Sequence, residues 1–330
     1  MLSSMTFEEL LQRVPDEAAR RYLLTAVRSD IATEPNSTNA LNGIKNVLMD
    51  NRRYLKLYAI AGGLEQLIAK LAASLRAKIL LRHRVTAISR SGENYVVHAG
   101  GKRYPFDVVV LAVPDYYLRR IEFEDGDLRR AMSAHCSYYD RPGHYLRVTA
   151  LFRTPFWRRK VPGNYFMIDA FGGACVYDES SRFDARGKGV LSWLLAGQDA
   201  MMLSNQDDDS LCRKMIHALP GPLRDQAARE LKEGMVHRWI GGISALPGGV
   251  PQKDLQSRHL PEPRRHPDIL VVGDYLFDST LNGVMDSADY VTDVLLTRSL
   301  AERRPKAVGI RRDYFDLYDG NQSYEESFHE

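Results

Sequence analysis

An α/β fold in two domains is what this sequence of 330 residues predicts, and three observations predict it. Residues 267–300 join a buried strand to a helix through a polar turn. Residues 58–114 read as a helix followed by three short strands. Between them lies a run of strands and then helices. Hydrophobic residues make up 44% of the chain, enough to bury a sizeable core, and the length makes two domains the natural division.

Residues 1–57 read as helices. Thr6 is placed to cap the first, with Glu8 and Glu9 in its opening turn. Pro15-Asp16-Glu17 starts the next, with acids at the end the helix dipole favours. Gly62-Gly63 then opens an amphipathic helix in which Leu64, Leu67, Ile68, Leu71 and Leu75 share one stripe. Strands at residues 84–89 and 95–98 pair across Ser91-Gly92-Glu93-Asn94, a turn by composition. Gly100-Gly101 marks another turn, and residues 107–113 form a buried strand that stops at Pro114. Strands follow at 145–152, 165–169 and 189–196, and helices at 208–219 and 222–232.

At residues 269–272 an uncharged apolar run predicts a strand covered on both faces, and Gly273 and Asp274 follow it directly. From Gly283 onward Val284, Ala288, Val291 and Leu295 recur at helical spacing, with Asn282 as the cap. The backbone N–H groups of residues 283–285 are then expected to point out of the helix start. Partial positive charge there suits an electron-rich ligand atom.

The junction at 267–300 resembles the last flavin-binding segment of the flavin-containing amine oxidase superfamily, which includes monoamine oxidases, protoporphyrinogen oxidases and phytoene desaturases. The resemblance implies that the Asp274 carboxylate, after Gly273, bonds the ribityl or phosphate region of FAD. It also implies that Asn282, Gly283, Val284 and Met285 aim a helix start at the isoalloxazine carbonyl. Residues 58–114 resemble the family's middle flavin segment. There Val85 would present backbone groups to the adenine, and the Ala112-Val113-Pro114 turn would close beside the cofactor. Residues 147–157, ending in Pro155-Phe156-Trp157, resemble the strand that carries an active-site lysine. Trp239, followed by Gly241-Gly242, resembles the stretch whose aromatic lines the substrate cavity.

Two departures shape the expectation. The lysine that holds a water against flavin N5 aligns with Arg147, and arginine keeps its charge where a desolvated lysine can lose it. On that register Arg147 orders water or binds a substrate carboxylate, and Arg147→Ala should impair turnover with little change in melting temperature. The alternative for Arg147 is a surface arginine on a strand edge; for Trp239 it is plain core. Second, these residues contain no Gly-x-Gly-x-x-Gly pyrophosphate motif: the doublets Gly62-Gly63, Gly172-Gly173, Gly241-Gly242 and Gly248-Gly249 lack the third glycine.

The resemblance therefore covers the C-terminal part of the family pattern. It implies an α+β substrate domain plus an incomplete Rossmann-like FAD-binding domain, in a fragment or subunit that a nucleotide-binding half in trans would complete. The expected division is 1–57, helical part of the substrate domain; 58–114, FAD-binding segment; 115–238, substrate domain; 239–300, C-terminal FAD-binding segment; and 301–330, a linker or tail with a basic and then an acidic, aromatic piece. The implied activity is hydride transfer from a small organic substrate to flavin N5. The alternative is a non-catalytic remnant or partner subunit that keeps the substrate-domain fold without FAD.

Composition sets the remaining bounds. A formal charge of +3 with scattered basic doublets gives no footprint of nucleic-acid binding. Cys136, Cys175 and Cys212 lie far apart and lack any Cys-x-x-Cys, so neither a disulfide framework nor a metal site is expected, and a reducing cytoplasm fits. No apolar run is long enough to span a bilayer. Peripheral membrane contact would fall on residues 6–27, whose apolar side chains are expected to face the substrate domain instead. His135, His144 and His217 lack a paired carboxylate at useful spacing and read as structural or surface residues.

Overall fold

A computed structural model of the chain describes residues 2–49, 60–180, 187–277 and 279–302. Met1–Val291 form one compact unit and Thr292–Glu330 a second, of which residues 292–302 are described and helical. The linker expected at 301–330 lies outside the described residues from 303 onward.

The N-terminal helices form as their caps predict. In α1 (Phe7–Leu11) the Thr6 hydroxyl accepts the Glu9 N–H and the Glu9 carboxylate accepts the Thr6 N–H, a reciprocal capping box. Asp16 caps α2 (Glu17–Ile31), and α3 (Ala40–Met49) follows. Phe7, Leu11, Val27 and Ile31 close a small core of their own, so the amphipathic N-terminal stretch turns these apolar residues inward. None of the described helices is long and apolar enough to cross a membrane.

The next helix, α4 (Glu65–Ser74), buries none of its residues. The stripe predicted to pack is instead in water: Leu64, Leu67, Leu71 and Leu75 are exposed, and Ile68 is 61% exposed. Leaving such a stripe exposed forfeits burial worth about 2 kcal/mol per side chain.

Among the described residues, two sheets and a strand pair follow. β1 (Val85–Ser91), β2 (Asn94–Ala99) and β3 (Lys102–Phe106) form an antiparallel meander; the third of these strands lies where sequence reading placed only a turn. β4 (Val109–Leu111) is shorter than expected and alternates, with Val109 and Leu111 buried but Val108 and Val110 exposed. α5 (Asp115–Leu118) and β5 (Glu122–Phe123) lead into α6 (Gly126–Tyr138), a helix that periodicity did not reveal. β5 extends the meander by pairing parallel to β1.

The larger sheet has the order β10-β6-β9-β8-β7, from β6 (Pro142–Phe152), β7 (Tyr165–Ile168), β8 (Ala174–Asp178), β9 (Gly189–Ala196) and β10 (Leu231–Ser244). Between the last two come α7 (Gly197–Leu203), α8 (Asp208–His217) and α9 (Gly221–Glu230). On β6 the residues Leu146, Val148, Ala150 and Phe152 are buried, joining Leu191, Trp193 and Leu195 of β9 and Leu211, Met215, Leu223 and Ala227 of the helices in the main core. Period-two alternation therefore puts Tyr145, Arg147 and Thr149 on the opposite face. β10 runs unbroken through the domain boundary expected at 238/239, so Trp239 belongs to the same sheet as Arg147.

The chain closes with α10 (Leu255–His259), β11 (Ile269–Val271) and α11 (Leu281–Glu302). β11 is buried throughout and pairs parallel with β4. Parallel strands far apart in sequence are the mark of the α/β class that the sequence predicts.

Candidate functional site

Residues singled out in the sequence gather in two places, connected by β10. The first is the edge beyond the carboxyl ends of β4 and β11, where the crevice of an open α/β sheet is expected. Val109 lies opposite Ile269 and Leu111 opposite Val271, and the Val272 N–H donates to the Leu111 carbonyl at 3.0 Å. Both strands therefore release their chains at the same edge, which sets the Pro114 turn beside Gly273 and Asp274. Ligands of open α/β sheets bind outside the carboxyl ends of the strands.

Gly273 has an extended backbone, φ 167°, that any residue could adopt. Contact is what requires the glycine: a Cβ there would lie 2.6 Å from Tyr275 Cε1. Asp274 opens a single 3-10 turn, and its Oδ1 accepts the Tyr275 N–H at 2.9 Å. Val85 packs, partly buried, on the core that also holds Leu111, Val271 and Tyr275. Because β5 reaches only Ala87 and Ile88, Val85 has no β5 residue across from it.

The helix start differs from expectation. α11 begins at Leu281, and Thr280 is its cap: the Thr280 hydroxyl accepts the Gly283 N–H and its carbonyl the Val284 N–H, each at 3.1 Å. Asn282 is the second helical residue and not the cap, because a hydroxyl three residues ahead of Gly283 already satisfies that donor. The N–H groups of Gly283 and Val284 are thus committed within the protein. The helix head exposes Leu281, Val284 and Met285 together with the polar Asn282, while Gly283 is buried.

The second place is the open face of the larger sheet. Arg147 sits on an interior strand, opposite His237 of β10 and Leu194 of β9, so it is not a strand-edge residue. Its Nη2 donates to the Glu179 carboxylate and to the Ser192 hydroxyl, and that hydroxyl donates to the same Glu179 oxygen at 3.0 Å. The Glu179 side chain is only 4% exposed, and that of Arg147 is 34% exposed. Trp239 pairs in register with Tyr145 and stacks on His237, the rings 5.6 Å apart and 11° from parallel. At 44% exposure Trp239 is not core; Trp157 and Trp193 are.

β10 links the two places. Its register slips between Ile240 and Ile243, where Gly241 takes φ 67° and donates its N–H to His144 Nδ1 at 3.0 Å. A left-handed residue at a bulge is where glycine is needed. The strand ends at Ser244, whose hydroxyl donates to Asp115 at 3.0 Å, and the Ser279 hydroxyl donates to the Ser244 carbonyl at 2.5 Å. Asp115 directly follows Pro114, and burial pushes its carboxyl up. Ser244 lies five positions after Trp239, so the sheet face lies no more than about 17 Å of strand from the end of β10.

Glu179, His237, Asp115, Ser244, Tyr275 and Ser287 escaped the sequence reading. Only His237 left a signal there, two residues before Trp239 on one strand and hence on its face. His217 is exposed, as expected. His135 is buried and bonds the Tyr275 hydroxyl at 3.1 Å through Nε2. Among the described residues no cluster of His, Cys, Asp and Glu could hold a metal, and the three cysteines are free and buried.

Burial holds His135 neutral, down to about 3, with Lys253 and His259 opposing its charge further, and holds His259 down to about 4. Both values fall below the roughly 6.5 of an unfolded histidine, so below that pH the unfolded chain binds more protons. Stability should therefore fall as pH drops from about 6.5 toward 4, each residue contributing about 1.4 kcal/mol per pH unit. Urea denaturation across that window should show the slope, and His259→Gln should flatten it. An equal slope in parent and variant would mean that His259 does not titrate on unfolding.

A sequence model of the family described as flavin containing amine oxidoreductase matches residues 5–296. A Mycobacterium tuberculosis protein named flavin-containing monoamine oxidase AofH is 25% identical over 259 residues, 75% of this chain and 55% of its own length. Mouse L-amino-acid oxidase is 29% identical over 229 residues, 64% of this chain and 33% of its own. The chain thus spans about half or less of the curated relatives it matches. Among solved structures, a putrescine oxidase variant superimposes with a TM-score of 0.67 at 17% identity, covering 90% of this chain and 68% of that one. Cyclohexylamine oxidase from Brevibacterium oxydans gives 0.65 at 16% identity, covering 89% and 69%. At such identities the likeness shows the fold.

Proposed function

The chain belongs to the family of flavin-containing amine oxidoreductases, and on that footing we propose that it forms the substrate face and two cofactor-contacting segments of an FAD-dependent oxidoreductase. The observation that carries this reading is the parallel β4–β11 pair, which delivers Pro114 and Gly273-Asp274 to one crevice that β10 joins to Arg147, His237 and Trp239. The residues fit the ring and sugar end of a flavin. Asp274 supplies a carboxylate for hydroxyl groups, and the exposed apolar side chains at the head of α11 suit a planar ring. Bound flavin supplies the electron acceptor, and the chain supplies orientation and electrostatics.

Arg147 has the role of a fixed donor in this reading. It is held at one corner by a buried carboxylate, so the pair carries little net charge and is no strong trap for anions. It suits a neutral acceptor or an ordered water. A guanidinium does not give up its proton, so base chemistry is not assigned to it. The stacked Trp239 and His237 form a flat wall that would orient a small organic amine.

Pyrophosphate donors must come from a Gly-x-Gly-x-x-Gly unit outside these residues, in trans or in continuous chain. Two features support a docked partner of that kind. Among the described residues the β4–β11 sheet has two strands, with Val108 and Val110 exposed, and α4 leaves its apolar stripe open. The buried free cysteines suit a reducing compartment, and a cytoplasmic location goes with this reading. The test is anaerobic bleaching of the flavin in the completed enzyme by a panel of primary amines and amino acids. Bleaching by at least one amine is expected. A flavin-loaded complex that none of them reduces would favour the non-catalytic alternative.

A further inference from the structure

Behind the Gly273-Asp274 turn runs a buried chain of hydrogen bonds that lies outside the hydrophobic cores and ends on the Gly273 amide. His259 Nδ1 lies 2.7 Å from the Leu255 carbonyl, which can only accept, so Nδ1 carries the proton and Nε2 is an acceptor. The Ser287 hydroxyl, 3.1 Å from Nε2, therefore donates to it and uses its own lone pair to accept the Gly273 N–H at 3.0 Å. Both side chains have no exposed surface. On the other side of the turn the Tyr275 ring stands where a Cβ of residue 273 would be, and His135 holds the Tyr275 hydroxyl.

We infer that Ser287 and His259 are positioning residues for the cofactor turn, tying the Gly273 amide inward so that Asp274 alone faces the ligand. This rests on the reading of that turn as a flavin contact. Four neighbouring donors are likewise spent. Val272 N–H goes to Leu111, Tyr275 N–H to the Asp274 carboxylate, Leu276 N–H to Gly273 and Phe277 N–H to Asp274. With Gly273 also committed, these five amides offer nothing to an anion, and the Asp274 carboxylate meets a hydroxyl donor. Loss of the relay would free the Gly273 N–H and let the carboxylate drift.

Hydrogen exchange of the Gly273 amide, resolved by NMR on the full 330-residue chain, tests this directly. Ser287→Ala and His259→Leu should each speed that exchange by about tenfold, the size expected for one lost hydrogen bond in a locally opening turn. His259→Gln places an amide oxygen near the Nε2 position and should return the rate to within about threefold of the parent. The Leu and Gln variants should melt alike, which separates positioning from general support. Unchanged exchange in Ser287→Ala, or no rescue by glutamine over leucine, would overturn the inference. If the exchange results hold while the completed enzyme takes up no FAD, the relay stands and the reading of the turn as a flavin contact fails.

Discussion

Asp274→Ala is expected to weaken FAD binding to the completed enzyme by about tenfold to a hundredfold, the equivalent of one charge-assisted hydrogen bond of roughly 1.5–3 kcal/mol. The carboxylate stands at the shared exit of β4 and β11, and its other duty is to hold the Tyr275 N–H. Alanine removes both. Asp274→Asn keeps an acceptor without the charge, so it should fall between parent and alanine. Fluorescence titration with FAD gives the three constants; equal affinity in all three would place the carboxylate away from the cofactor.

Arg147→Ala should lower stability by about 2 kcal/mol, against the small change that sequence alone suggested. Glu179 is the reason. Its buried carboxylate loses its guanidinium partner and keeps the Ser192 hydroxyl, so a charge is left incompletely compensated out of water. A fully buried pair would cost about 3–5 kcal/mol, and the one-third exposure of Arg147 lets water screen part of that. Adding Glu179→Gln to Arg147→Ala should recover most of the loss. Urea denaturation of the four proteins closes the cycle, and additive effects would show that the two residues are uncoupled.

Much of the crevice was legible because it is built from continuous segments. An uncharged run at 269–272, a glycine, an acid and a helix start lie within one stretch of chain, and Pro114 ends another. The sheet face was legible only in part. Arg147 and Trp239 were found through the family pattern, but Glu179, just beyond β8, and Ser192 on β9 meet Arg147 from separate parts of the chain, and nothing local marks them. β10 was missed because residues 231–244 mix lysine, glutamate, glycine and tryptophan on a strand that is mostly exposed, so alternation has no buried side to mark. The cap of α11 slipped by two residues because Thr280 and Asn282 are both good caps, and only the hydrogen bonds decide between them. Periodicity gave the stripe on α4 correctly, yet periodicity cannot say whether a stripe is buried, and this one is not.

Equilibrium dialysis against FAD, with flavin absorbance read per chain, tests most directly whether these residues form one part of a flavin site. The 330-residue chain by itself should retain little or no flavin, since on the proposed reading its acidic turn and helix head would meet only one end of the cofactor. Joined to a Gly-x-Gly-x-x-Gly nucleotide-binding unit of the same family, by fusion or in trans, it should retain about one flavin per chain, as expected when a helix start binds the pyrophosphate. Stoichiometric flavin on the chain alone, or none after the unit is supplied and shown to dock, would contradict this assignment.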